Sequence, residues 1–296
     1  MGASPAEPRV CDSEQDYFGL WNEHLGSTRG EGTGLGPTEL AEVGGRLADR
    51  AAWVFIAGYQ GALRQSFPAL REYAGWASYV VSEARDESKA PTCHLVDTGS
   101  ESYLQGTKNW VAASAHLRWL VVNAASSTVG SESTVNLLVS ADANGVALIE
   151  KPSGRFLPEL IVGRAEFSKV ALSTYSHLDE TPNFASLFGL IEARCLLVAL
   201  GAHFSQVAPT DAPPGQSLML SSGLATAELA SPASIDVLLE AMALLVDWFE
   251  GWHERGCPGE SVAVESLRQR WSDDQRLLQM HRPLLLRHKE QVTTKE

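Results

Sequence analysis

The chain has 296 residues, 44% of them hydrophobic and 20% charged, with a net charge of −13. That length suits one large domain or two to three small ones with a sizeable core, and the composition is that of a globular protein. The negative balance would be repelled by nucleic acid and by anionic membrane surfaces, which argues against both as generic partners.

Cys11, Cys93, Cys195 and Cys257 are scattered, with no Cys-x-x-Cys and no paired histidines at ligand spacing. No disulfide framework and no metal site is expected from them. The N-terminus lacks the basic flank and apolar core of a signal peptide, and no apolar run is expected to reach the ~18 residues that span a bilayer. The expectation is a cytoplasmic protein.

In chain order, residues 1–36 read as a flexible N-terminus, polar and proline-containing at first and glycine-rich over 26–37. Gly30, Gly32 and Gly34 form a Gly-x-Gly-x-Gly run, but no strand precedes it as phosphate-binding motifs require. Residues 37–75 read as a short helical domain. Thr38 is a candidate N-cap, and Leu40, Val43, Leu47, Ala51 and Val54 recur at helical spacing in a helix that continues to Phe67 and stops at Pro68.

Residues 76–180 read as β-rich. Trp76–Ala84 is the first strand, and Tyr103–Ser114 has the grammar of a hairpin with Gly106 as its pivot. Arg118–Ala125 and Thr134–Ser140 are compact runs rich in β-branched residues. Asn144-Gly145 is a hairpin signal, and strands over 146–150 and 165–172 complete a small antiparallel barrel or sandwich.

Residues 181–296 read as a helical bundle. Asn183–Gln206 carries an apolar stripe (Phe184, Leu187, Phe188, Ile191, Cys195, Val198, Ala202), and the prolines of Pro209–Gly215 end it. Further helices are predicted over Ser217–Ala230, Ser234–Glu254, Glu260–Arg270 and Asp273–Glu290. Trp53, Trp119, Trp248 and Trp252 lie on apolar faces and read as packing residues.

The central stretch resembles the β domain of the acyl-CoA dehydrogenases, whose pattern there is Leu-x-Gly-x-Lys-x-Trp-(Ile/Val)-Thr. Leu104, Gly106, Lys108, Trp110 and Val111 match position for position, and Ala112 replaces the Thr. Upstream, Tyr79-Val80-Val81-Ser82-Glu83 resembles the family's strand ending in Thr-Glu. Downstream, Gly163-Arg164-Ala165-Glu166-Phe167-Ser168-Lys169-Val170 resembles the strand that closes the domain. The resemblance covers roughly residues 38–290. It implies an α+β chain of that family's order: a short N-terminal helical domain, a central antiparallel β-barrel or sandwich, and a C-terminal helical bundle.

The same resemblance implies FAD as cofactor, with Ser82, Trp110, Val111 and Ala112 facing it. Trp110 reads either as a flavin-stacking wall or as a barrel-core aromatic, Lys108 as a solvated residue beside a turn, and Arg164 as a local pairing residue. The family's Gly-Ser-Asp after Thr-Glu is replaced here by residues 84–88, and its Arg-x-x-Phe-Gly and Gln-x-x-Gly-Gly dinucleotide turns have no counterpart.

The family's catalytic carboxylate stands at one of two places, which correspond to Ala193 and Arg282 in this chain. Glu192, one residue and about 100° around the helix from the first place, and His281, next to the second, are the candidate bases. Arg282 puts a fixed positive charge there, suited to binding an anionic substrate.

Two functions stay open. One is α,β-oxidation of an acyl thioester such as an acyl-CoA, with FAD accepting hydride and an electron-transfer flavoprotein or oxygen as acceptor. The other is a non-redox family member acting as a ligand-binding or partner subunit of a hetero-oligomer. Under either, a homodimer or hetero-oligomer is expected.

Overall fold

The computed structural model describes residues 10–25, 34–82, 92–97, 101–128, 131–171, 175–178, 184–207, 212–225, 228–255, 271 and 275–294. Its contacts divide the chain into two compact units. A helical unit takes residues up to 25, 35–66 and those from 183 onward, and a β unit takes 26–34 and 67–182.

In the helical unit, α1 (Glu14–His24) replaces part of the flexible N-terminus expected over 1–36. Its start is fixed by a capping box. Ser13 Oγ accepts the Asp16 N–H, and the Asp16 carboxylate accepts the Ser13 N–H at 3.0 Å. Tyr17 and Trp21 are buried, and Tyr17 stacks on Trp53 with centroids 5.3 Å apart. The aromatics spaced along α1 were the signal that a polar-loop reading passed over.

The single helix expected from Pro37 to Phe67 is two, α2 (Pro37–Leu47) and α3 (Ala51–Ser66). Ala48 turns extended at the break. The Asp49 carboxylate there accepts the Cys11 N–H at 3.1 Å and pairs with Arg50, which also reaches Asp12. Every residue of α3 is buried, and its small residues admit a close neighbour. A Cβ on Gly58 would stand 2.7 Å from the Leu196 Cα of α4 (Phe184–Val207).

The segment Leu187–Val207 in α4 is apolar and long enough to cross a membrane, contrary to expectation, but 83% of its apolar window is buried within the chain. It is a core helix, apolar all round because its neighbours surround it. Then follow α5 (Ala212–Ser222) and α6 (Pro232–Arg255). α5 begins inside the predicted Pro209–Gly215 break, because Pro213 and Pro214 sit in its first turn, where no intrahelical N–H donor is needed.

Phe204, Trp248, Phe249, Trp252 and Trp271 form one buried aromatic cluster beside His203. The predicted last helix is a short helix, Arg276–Gln279, followed by Arg282–Thr293. The predicted helix over 260–270 and the glycine run at Gly30 and Gly32 lie outside the described residues.

The β unit is an eight-stranded sheet ordered β6-β7-β3-β2-β4-β5-β8, with β1 also on β4. Its strands are β1 (Trp76–Val80), β2 (His94–Asp97), β3 (Ser102–Ala112), β4 (Leu117–Thr128), β5 (Ser131–Ser140), β6 (Val146–Glu150), β7 (Val162–Ala171) and β8 (Tyr175–His177). The sheet is mixed where an antiparallel one was expected. β1 and β2 both run parallel to β4, with Val80 opposite Val122 and His94 opposite Ala125, so they follow one another along the same edge of β4.

Gly106 is not a hairpin pivot. β3 runs unbroken through it with a bulge between Leu104 and Gly106, and the glycine takes φ 129°. A Cβ there would meet the Thr92 carbonyl oxygen at 2.4 Å, so both backbone conformation and the close approach of the strand leading into β2 demand glycine. Asn144-Gly145 does make a turn, with Gly145 at φ 90°. The strands it joins do not pair with each other, since β6 pairs with β7 and β5 with β4 and β8.

Candidate functional site

The β unit presents a ledge where β1 ends beside β3. The Asn109 N–H donates to the Ser82 carbonyl at 2.7 Å, which sets Ser82 next to the residue preceding Trp110. A second bulge, between Lys108 and Val111, takes Asn109 and Trp110 out of register with β7. Trp110 is left 39% exposed, an unusual place for the largest side chain in a sheet, and Ser82 is exposed beside it.

Val111 and Ala112 are buried behind the ledge, and the Ala112 N–H donates to Ser78 Oγ at 3.2 Å. Of the four residues expected to face a flavin, Ser82 and Trp110 are exposed on either side of the Asn109-to-Ser82 bond, and Val111 and Ala112 are buried. An exposed aromatic side chain near an exposed serine suits a flat heterocycle with polar edges, which is the shape and chemistry of an isoalloxazine ring.

Lys108, expected to be solvated, is 2% exposed, and its Nζ donates to the Val81 carbonyl at 3.1 Å. Burial follows from the strand: Lys108 lies opposite Ala165 on the face that β7 turns inward. Lys151 was missed altogether. It donates to the carbonyl and side-chain oxygens of Asn109 from the loop after β6, a position that leaves no mark in the sequence. Arg164 pairs with Glu166 at 2.8 Å, a local role as expected.

In the helical unit the two candidate bases are partners. His281 Nε2 lies 3.0 Å from Glu192 Oε2, with the histidine side chain 7% and the glutamate 19% exposed. A carboxylate only accepts, so Nε2 carries the hydrogen. His281 Nδ1 is buried with no hydrogen-bond partner among the described residues. Ala193, the residue at the family's base position, is buried, and Arg194 donates to the Leu224 carbonyl at 2.8 Å and to Thr38 Oγ1.

Arg282 lines a cavity of about 380 Å³ with Leu239, Met242, Val246, Asp247 and Leu286. The Cys195 thiol is pushed up to about 12 by burial, which removes it as a nucleophile at neutral pH. Burial drives His203 down to about 4. It is held as a neutral ring with Nδ1 donating to the Ala48 carbonyl and Nε2 accepting from Trp271 Nε1.

No family model matches the chain, and no curated protein does. Solved structures do match. FkbI, for biosynthesis of the methoxymalonyl extender unit of the polyketide immunosuppressant Fk520, is 15% identical, with a TM-score of 0.59 over 96% of this chain and 94% of its own. Methanesulfinate monooxygenase MsuC from Pseudomonas fluorescens is 14% identical, with a TM-score of 0.63 over 94% of this chain and 89% of its own. PigA with FAD and proline is 10% identical, with a TM-score of 0.59 over 93% of this chain and 89% of its own.

The chain has the acyl-CoA dehydrogenase fold. Within that fold, the matched residues Leu104, Gly106, Lys108, Trp110 and Val111 fall on one strand, β3, and Trp110 is the one among them that reaches the surface. The acyl-CoA dehydrogenase fold is shared at identities of 10–15% in these comparisons, so it establishes architecture and leaves the chemistry to the site.

Proposed function

We propose that the chain binds FAD and acts as a flavin-dependent oxidoreductase. The observation that carries this reading is the Ser82–Trp110 ledge, an exposed serine whose backbone is tied by the Asn109-to-Ser82 hydrogen bond to the residue before an exposed tryptophan. The fold supports it, since PigA, of the same architecture, was solved with FAD. Bound FAD would supply a hydride acceptor.

The chain's own part is to hold that ring. Trp110 covers one face and excludes water from it, and the Ser82 hydroxyl donates to an acceptor on its edge. Ala112 contributes no donor, because its N–H is engaged by Ser78. The chain has no counterpart of the family's dinucleotide turns, and a second copy of it would lack them too, so the adenosine half is assigned to a different subunit in a hetero-oligomer.

Dehydrogenation of an acyl thioester is the finer form of this reading, with an electron-transfer flavoprotein or oxygen as acceptor. It requires a group that removes the α proton. With Ala193 and Arg282 at the family's base positions, that task falls to Glu192 joined to His281. The same two substitutions favour the second reading, a non-redox partner subunit, should the ledge take no flavin.

FAD titration of the purified protein, followed by tryptophan fluorescence, tests the proposal. Saturable quenching that Trp110→Phe weakens supports it. Absence of binding, with and without candidate partner chains, moves the assignment to the partner-subunit reading.

A further inference from the structure

The two peptide groups that lead into the ledge residues each carry a lysine. Val81 follows the last residue of β1, so its carbonyl lies beyond the strand's end, and the Lys108 ammonium takes it at 3.1 Å. Asn109 sits in the bulge of β3, and the Lys151 ammonium takes its carbonyl and its side-chain oxygen. The peptides concerned are Val81–Ser82 and Asn109–Trp110, the ones whose far ends are Ser82 and Trp110.

Lys108 is buried and Lys151 partly buried, and each brings a charged donor to its carbonyl. That charge polarises the peptide. A cation on a peptide oxygen draws electron density from its nitrogen and makes the N–H on the other side a stronger donor. Among the described residues the Ser82 N–H has no acceptor, and Ser82 is exposed.

We infer that Lys108 and Lys151 are positioning residues for the flavin: they lock Ser82 and Trp110 into one ledge and place two positive charges behind it, favouring a ligand edge rich in acceptor oxygens. The inference rests on the proposed FAD binding but makes its own statement about the ledge. Desolvation and the nearby Arg164 lower the Lys151 pKa, consistent with an ammonium drawn in from solvent.

The test compares wild type with Lys108→Met, Lys151→Met and Lys108→Arg by three readouts: FAD affinity, the reduction midpoint of bound FAD, and hydrogen exchange over residues 76–82 and 105–112 without ligand. The two Met variants should each bind FAD about ten-fold more weakly and lower the midpoint, while Lys108→Arg restores both in large part. A protein merely loosened would lose affinity without moving the midpoint.

If wild type binds FAD and both Met variants match it in affinity and midpoint, the inference is overturned. If wild type binds no FAD, the proposed function fails by itself, and exchange decides the lysines: faster exchange confined to the two segments upholds the locked ledge, and unchanged exchange overturns it. Lys151, half-buried in a loop, provides the variant that keeps its fold if Lys108→Met does not.

Discussion

Glu192 Oε2 and His281 Nε2 are 3.0 Å apart, which joins two residues 89 positions apart in the chain into one half-buried unit. As separate candidates for a base they compete; as a pair, each sets the other's orientation. Glu192 fixes the imidazole with its hydrogen on Nε2, and among the described residues nothing bonds Nδ1.

The pair should therefore behave as a unit under mutation. Glu192→Gln and His281→Gln should each destabilise the protein by about 1–2 kcal/mol, and the double mutant should fall short of their sum by a coupling of about 1 kcal/mol. Chemical denaturation of the four proteins gives the number, and strict additivity would show that the contact carries no energy. If the pair acts in turnover, either single variant should abolish it with flavin content unchanged.

His203 predicts an acid-sensitive component of stability. Its pKa is lowered in the folded protein, from 6.5 to about 4, because burial penalises the charged ring. The unfolded chain thus binds a proton between those values that the native protein does not, so stability is fully present above about pH 6.5 and falls as pH drops toward 4. The loss amounts to about 3 kcal/mol. Thermal unfolding across that range should show it in wild type, and His203→Asn, less stable at neutral pH, should lose that part of the slope.

Gly106→Ala should cost about 3 kcal/mol, combining a backbone conformation that L-residues avoid with a clash against the Thr92 carbonyl. Were Gly106 a solvent-exposed hairpin pivot, the same change would cost about 1 kcal/mol. Urea unfolding midpoints separate the two.

Much of the architecture was legible in the sequence because it is local. The apolar runs of α4 and α6 and the β-branched runs of β4 and β5 announce themselves within a dozen residues. The parallel seating of β1 and β2 on β4 is a long-range register, and nothing near Trp76 or His94 encodes it. Gly106 signalled a special backbone correctly, but glycine alone does not separate a turn from a bulge.

For the candidate site, Ser82 and Trp110 came from the matched pattern, and both are exposed, at the end of β1 and in the bulge of β3. Lys108 belongs to that pattern too, yet its residue type argued for solvent, and only the inward face of β3 reverses that. Glu192 and His281 were found as rivals, since sequence distance hides that one helix brings its glutamate to the residue before the last helix.

The central claim is that this chain holds FAD on the Ser82–Trp110 ledge, and the visible absorption spectrum of the purified protein, before and after adding FAD, tests it most directly. A flavin band that stays with wild-type protein through gel filtration, and is lost or weakened in Trp110→Ala at unchanged fold, is the expected result. A protein that stays colourless after reconstitution, or a band that Trp110→Ala leaves untouched, would contradict it.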